Sequence, residues 1–129
     1  MASKYGIITI ADLEGITGTD YSTLVDEDDA RLYNDTVIEA QITASEELVS
    51  AIARKETYDS VNASDIIIWS VKTLSKIYMD NMLIADGIIQ GERIDPIFYY
   101  ISIIKPMIES NETSKNNIKS YKGIDDYNF

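Results

Sequence analysis

Neither cysteine nor histidine occurs in this 129-residue chain. Disulfides are therefore excluded, and with them the thiolate and imidazole donors that most zinc sites depend on. The side chain that most often moves protons at neutral pH is missing too. A catalytic centre would need a carboxyl raised, or a lysine lowered, by several pKa units through burial. The acids of the most apolar segment, Asp65, Asp80 and Asp86, fall near its ends or on its less apolar side, where solvent keeps a carboxylate ordinary. Phosphate-cradling glycine patterns are absent, and the Ser102–Lys105 spacing of a serine-lysine pair lacks companion motifs and adjoins Pro106. The sequence predicts no enzyme and no cofactor.

Positive charge is scarce as well. Eleven Lys and Arg face 22 Asp and Glu, for a net charge of -11. The imbalance is concentrated at the front, residues 1–35 carrying -6 and residues 96–129 zero. With no basic cluster to neutralise phosphates, sequence-specific DNA binding is not expected. No apolar run approaches the roughly 20 residues a membrane span needs; the longest is Ile97 to Ile104. The start, MASKYGIITIADLEG, meets acid before a signal-peptide core could form, so an intracellular origin is expected and the sequons at Asn34, Asn62 and Asn111 count as chance matches.

What the chain does contain is helical periodicity around one unusually apolar segment. In SDIIIWSVKTLSKIYMDNMLIADG, Ser64 to Gly87, the file Ile67, Val71, Leu74, Tyr78, Met82 repeats every three or four residues, and Ile66, Trp69, Ile77 and Ile84 widen it. A helix so apolar must be covered from several directions. Ser64 is its candidate N-cap, and Gly87 can supply a left-handed residue past its end. The predicted class is mainly α: a small helical bundle around a central buried helix over residues 1–110, with an extended C-terminal tail over 111–129.

The covering elements follow in order. Thr9 can cap a short helix, Ile10 to Glu14, ended by Gly15 and Gly18, which would set Ile8, Ile10 and Leu13 on the core. A long acidic connection follows, with Leu24, Val25, Leu32 and Tyr33 as its anchors. A calcium loop starting at Asp26 fails, because Ala30 stands where an oxygen ligand is needed and Arg31 where glycine must turn. A second helix is predicted from Thr36 to Arg54, capped by Asp35, with Val37, Gln41, Ala44, Leu48 and Ile52 as its buried stripe, Ile38, Ile42 and Val49 flanking it, and Ala40, Ala44 and Ala51 easing close approach. Asp95 and Pro96 open a third long element in which Ile97, Ile101, Ile104 and Ile108 keep helical spacing and Pro106 introduces a kink or an end. Strand remains open there, given the β-branched and aromatic richness of IFYYISII. Beyond Glu109, Ile118, Tyr121, Ile124, Tyr127 and Phe129 are more apolar residues than a solvated terminus requires; they predict a partner-binding arm, with folding back on the chain's own core as the alternative.

Three of these stretches together, ITIADLEGI, STLVDEDDARLYNDTVIEAQITASEELVSAI and SDIIIWSVKTLSKIYMDNML, resemble the opening turn, acidic linker with first long helix, and buried second helix of the head-tail connector (adaptor) proteins of tailed bacteriophages. The long linker and the insertion IIQGERIDP depart from that pattern. The resemblance implies a homo-oligomeric ring, commonly a dodecamer, in the virion neck, made in the host cytoplasm, docked under the portal protein and joined to neck or tail proteins, with DNA passing through unbound. On that reading Ile118, Tyr121, Ile124, Tyr127 and Phe129 form the portal-contacting arm, and Asp26, Glu27, Asp28 and Asp29 an exposed, lumenal acidic loop. The alternative is a small acidic helical interaction module, a regulator or adaptor in a cellular complex.

Overall fold

Apolar side chains on most of its circumference make α3, Asp65–Ala85, the element that the others cover. The computed structural model describes residues 2–53, 58, 59, 61 and 63–111. Among these the chain is a small helical bundle around that central helix, as predicted. In order come α1 (Ile10–Thr17), a 3-10 turn (Tyr21–Thr23), α2 (Asp35–Ser50), α3, and α4 (Pro96–Tyr99), which continues through a π-helical stretch (Tyr100–Ile104) into helical residues 105–111. The one β interaction among the described residues is an isolated bridge between Val25 and Arg31.

The ends of α3 show how local chemistry sets an element's length. Ser64 takes the extended N-cap conformation, although its hydroxyl makes no capping bond. At the other end Gly87 adopts φ 75, its N–H reaches the Ile84 carbonyl at 3.1 Å, and the Ile88 N–H reaches the Leu83 carbonyl at 2.8 Å. These two bonds are the paired closure that a left-handed residue after a helix permits. Ile67, Val71 and Leu74 are sealed as their spacing predicts, whereas Tyr78 and Met82 are half-buried and burial passes to Met79 and Leu83. The shift follows from the cover: α1, α2 and α4 all contact α3, and each must occupy a different side of it.

On α2 the buried face is rotated from the predicted one. Asn34, not Asp35, is the cap, its side-chain oxygen accepting from the Val37 N–H at 2.9 Å, and the helix stops at Ser50 rather than Arg54. The residues turned inward are Ile38, Ile42, Ser45, Glu46 and Val49; the stripe expected from Val37, Gln41, Ala44 and Leu48 lies half-buried at the edge. Ala40 and Ala51 are exposed, so the small residues inside the core are serines instead: Ser45, Ser70 and Ser75. Ser45 and Ser70 satisfy their hydroxyls on their own helices, through the carbonyls of Gln41 (3.1 Å) and Ile66 (2.6 Å).

The front of the chain is fastened by a buried carboxylate. Glu46 is wholly inaccessible and accepts from Ser3 Oγ at 2.7 Å, the Tyr5 N–H at 3.0 Å and the Ile7 N–H at 2.9 Å. The Tyr58 hydroxyl donates to its backbone carbonyl, and the Tyr5 and Tyr58 rings meet edge to face at 4.7 Å. Residues 3–7 therefore form a strap across α2. From the strap, α1 starts with a reciprocal capping pair, Thr9 and Asp12, and runs past Gly15 to end at Gly18 alone, three residues beyond its predicted stop. Leu13 and Ile8 are buried, with Ile10 at the edge.

In the connection to α2, Tyr33 is buried and donates to the Asp86 carboxylate at the end of α3, and Tyr21, which no sequence pattern marks as an anchor, is sealed as well. Val25 and Leu32, expected as anchors, are exposed. The connection after α3 is held by Asn81, whose amide donates to the Ile94 carbonyl at 2.6 Å while its oxygen accepts from the Ile94 N–H at 2.9 Å. Asn81→Ala removes both bonds and should lower stability by about 1–2 kcal/mol in urea denaturation, at the usual net worth of a hydrogen bond. A change below a few tenths would show that the clamp is ornamental.

Candidate functional site

The segment that best distinguishes this chain from a self-contained bundle is the last one. Asp95 caps it with bonds to the Ile97 and Phe98 N–H groups, and Pro96 occupies the first helical position, where its missing donor is harmless. Pro106 lies inside the segment and does not end it. A proline has no N–H and its ring crowds the carbonyl four residues back. Here the turn before it widens, the Lys105 N–H bonding to the Tyr100 carbonyl, and the helix continues over 105–111. The predicted kink or stop at Pro106 is replaced by this π-helical turn.

The widened turn also decides which side faces in. Tyr100, Ile104 and Ile108 are buried, one residue in every four. Ile97 and Ile101, predicted to share the inward stripe, are 45% and 57% exposed, and Phe98 is 68% exposed. Ile94, Ile103 and Met107 are exposed as well. The helix thus carries apolar residues well outside its packed line, and Ser102, Lys105 and Glu109 make only a narrow polar strip. An apolar face wider than the packed line is surface that a soluble helix normally covers. A hollow of about 510 Å³, lined by Ile66, Pro106, Met107, Ser110 and Asn111, opens where the described chain leaves this helix.

The acidic residues Asp26, Glu27, Asp28 and Asp29 form an exposed tight turn whose ends are joined by the Val25–Arg31 bridge. Asp26 is the scaffold of this turn: its carboxylate accepts from the N–H groups of Asp28 (2.8 Å) and Ala30 (3.0 Å), and its own N–H reaches the Ala30 carbonyl at 2.9 Å. Asp29 takes the left-handed conformation, φ 62, that Asp tolerates better than most residues. Asp26→Ala should cost about 1 kcal/mol, whereas Glu27→Ala and Asp28→Ala should stay within about 0.5 kcal/mol. Equal effects in thermal melts would remove the distinction between scaffold and free acids. The arm residues Ile118, Tyr121, Ile124, Tyr127 and Phe129 lie outside the described residues.

Among the described residues no group of three or more Asp or Glu is placed to hold a metal ion. Ser102 is exposed on the helix, and no hydrogen bond ties it to Lys105 among the described residues. At the surface the Glu47 carboxylate raises Lys4 and the Ser22 hydroxyl lowers Asp20; the buried groups that shift are phenols. Burial, reinforced by the Asp86 carboxylate, pushes Tyr33 above the ordinary tyrosine range; burial followed by the Glu46 charge does the same to Tyr58. Tyr21, Tyr78 and Tyr100 are raised in the same direction, chiefly by burial. A raised phenol keeps its proton in the folded chain while the unfolded chain loses it near pH 10. Stability should therefore be intact below about pH 10 and fall above it by up to about 1.4 kcal/mol per pH unit for each such group. Tyrosinate absorbance that reaches the full amplitude of all nine tyrosines before the chain unfolds would contradict the burial of these rings.

Among the described residues no helix is long and apolar enough to cross a membrane. The chain matches no protein-family model, no curated protein and no solved structure.

Proposed function

We propose that the chain is a structural assembly subunit of the head-tail connector kind its sequence resembles: a helical protomer that closes into a ring with its own copies, docks on a portal and joins neck or tail components in a virion. The observation that carries this reading is the helix over 96–111, which packs along Tyr100, Ile104 and Ile108 and leaves Ile97, Phe98, Ile101, Ile103 and Met107 exposed. Burying a side chain such as Phe98 or Ile101 contributes about 1.5–3 kcal/mol, so several per protomer, repeated around a ring, supply a strong driving force for association. The exposed acids of the 26–29 turn suit a lining that repels phosphate. The residues 118–129 are the portal-contacting arm of this proposal.

Size measurement with and without portal tests it. The full chain should form a closed oligomer alone or on a portal ring, and Phe98→Asp should abolish assembly while leaving circular dichroism unchanged. Deletion of Tyr121 to Phe129 should abolish portal docking and leave the bundle folded. A chain that remains monomeric and binds no portal assembly overturns the reading.

A further inference from the structure

The charges along the last helix are placed so that it matches a reversed copy of itself, and we infer that two copies of this chain pair through it, antiparallel, about a two-fold axis at Ile101. The inference rests on that helix being an interface but not on a ring or a portal, since it concerns the free chain.

The apolar surface sets the size of the contact. Ile94, Ile97, Phe98 and Ile101 are 49%, 45%, 68% and 57% exposed, beside the packed line of Tyr100, Ile104 and Ile108. With a whole aromatic side chain covering about 150–250 Å², these four leave roughly 400 Å² uncovered, as large as the main apolar patch of a typical monomer. A pair buries that area twice, about 800 Å², and the polar residues beside it bring the total towards the roughly 1,200 Å² at which specific interfaces begin.

The charges select the partner and its direction. Arg93, Lys105 and Glu109 have no ion pair among the described residues, and the Asp95 carboxylate is engaged only by the N–H groups of Ile97 and Phe98. In a parallel pair Arg93 would face Arg93 and Asp95 would face Asp95. In an antiparallel pair centred on Ile101, Arg93, eight residues before the centre, faces Glu109, eight residues after it. Lys105, four residues after the centre, comes within two residues of Asp95, six before it, an offset of about 3 Å along the axis. The two-fold axis makes each of these pairings twice. Arg93 cannot reach Glu109 in its own chain, because the helix from Asp95 to Glu109 is by itself about 21 Å long. Two copies that each carry -11 repel in most orientations, so one matched strip fixes the approach. Such a contact uses the same face on both copies and stops at two; growth into a ring needs another face or the opening of this pair.

Sedimentation equilibrium of the full chain between about 1 μM and 1 mM should show a dimer as the first species above the monomer. Ile101→Asp should leave only monomer. Arg93→Glu and Glu109→Arg should each weaken pairing about fivefold or more, and the two together should restore it, a coupling that only the antiparallel pair provides. All three positions are exposed, and circular dichroism would verify that the bundle survives. Because the chain has no cysteine, Ile101→Cys tests the axis itself. A residue on a two-fold meets its own copy, so this variant should close a disulfide between chains at least tenfold faster than Ala40→Cys, which is exposed on α2. A chain that stays monomeric throughout, a double variant no tighter than the single ones, or equal disulfide rates overturns the inference. None of these readouts uses a portal. Pairing without portal engagement upholds the inference and sinks the assembly reading, whereas a monomer that engages a portal does the reverse.

Discussion

Glu46→Ala should destabilise the protein by about 3–5 kcal/mol and release the first eight residues from α2. The carboxylate accepts from one hydroxyl and two backbone N–H groups, and a buried donor left without an acceptor costs roughly 1–3 kcal/mol each. The total is capped because the strap can peel away and hydrate its own donors. Peeling would uncover Ile7 and Ile8, which are buried now, so the loss moves from hydrogen bonds to apolar surface. Glu46→Gln should cost about half as much. Oε2 serves Ser3 and Ile7 while Oε1 serves Tyr5, so either orientation of an amide points its NH2 at a donor. Urea denaturation gives the stabilities, and hydrogen exchange at the Tyr5 and Ile7 amides reports the strap. Unchanged exchange in Glu46→Ala would mean that the strap is held by something else. Glu47→Ala is the control, because its carboxylate meets Lys4 at 3.0 Å in solvent and such exposed pairs contribute about 0–1 kcal/mol.

Leu74→Ala should cost about 2–5 kcal/mol, the range for deleting a fully buried leucine from a core that cannot collapse onto the gap. The residue lies mid-way along α3 and is wholly inaccessible, so removing it leaves a cavity under the covering helices. Trp69→Ala, five residues earlier on the same helix, should cost less despite the larger side chain, because Trp69 is 37% exposed. The reversed order in urea midpoints would place the centre of the core on the other side of α3. A measured loss for Trp69→Ala below about 1 kcal/mol, together with loss of assembly, would instead add this residue to the interaction surface.

The sequence by itself determined the elements. Thr9 with Asp12, Asp95 with Pro96, and Gly87 after an apolar run are local signals whose bonds close within a few residues, and each marks an element end in the structure. The absence of histidine and cysteine, and the periodicity of Ile67, Val71 and Leu74, were equally legible, because neither depends on distant contacts. The apolar richness of IFYYISII is visible too; by sequence it leaves helix and strand open, and the structure makes it a helix with an uncovered side.

Only the tertiary structure decided the facing. The inward stripe of α2 is set by what lies across from it, so the predicted file lost to its neighbours by a single position. In the last helix the π-helical turn ahead of Pro106 turned Tyr100 inward and left Ile97 and Ile101 outside, a rotation that a fixed 3.6-residue period cannot express. Glu46 is the plainest case: it stands beside Glu47 in SEELVS with nothing local to separate them, yet one is sealed and the other solvated. The difference is made by Ser3, Tyr5 and Ile7, some forty positions away in the chain, whose unpaired donors need an acceptor at that one point. Helix ends are fixed by bonds between sequence neighbours, whereas burial is fixed by which distant surfaces meet.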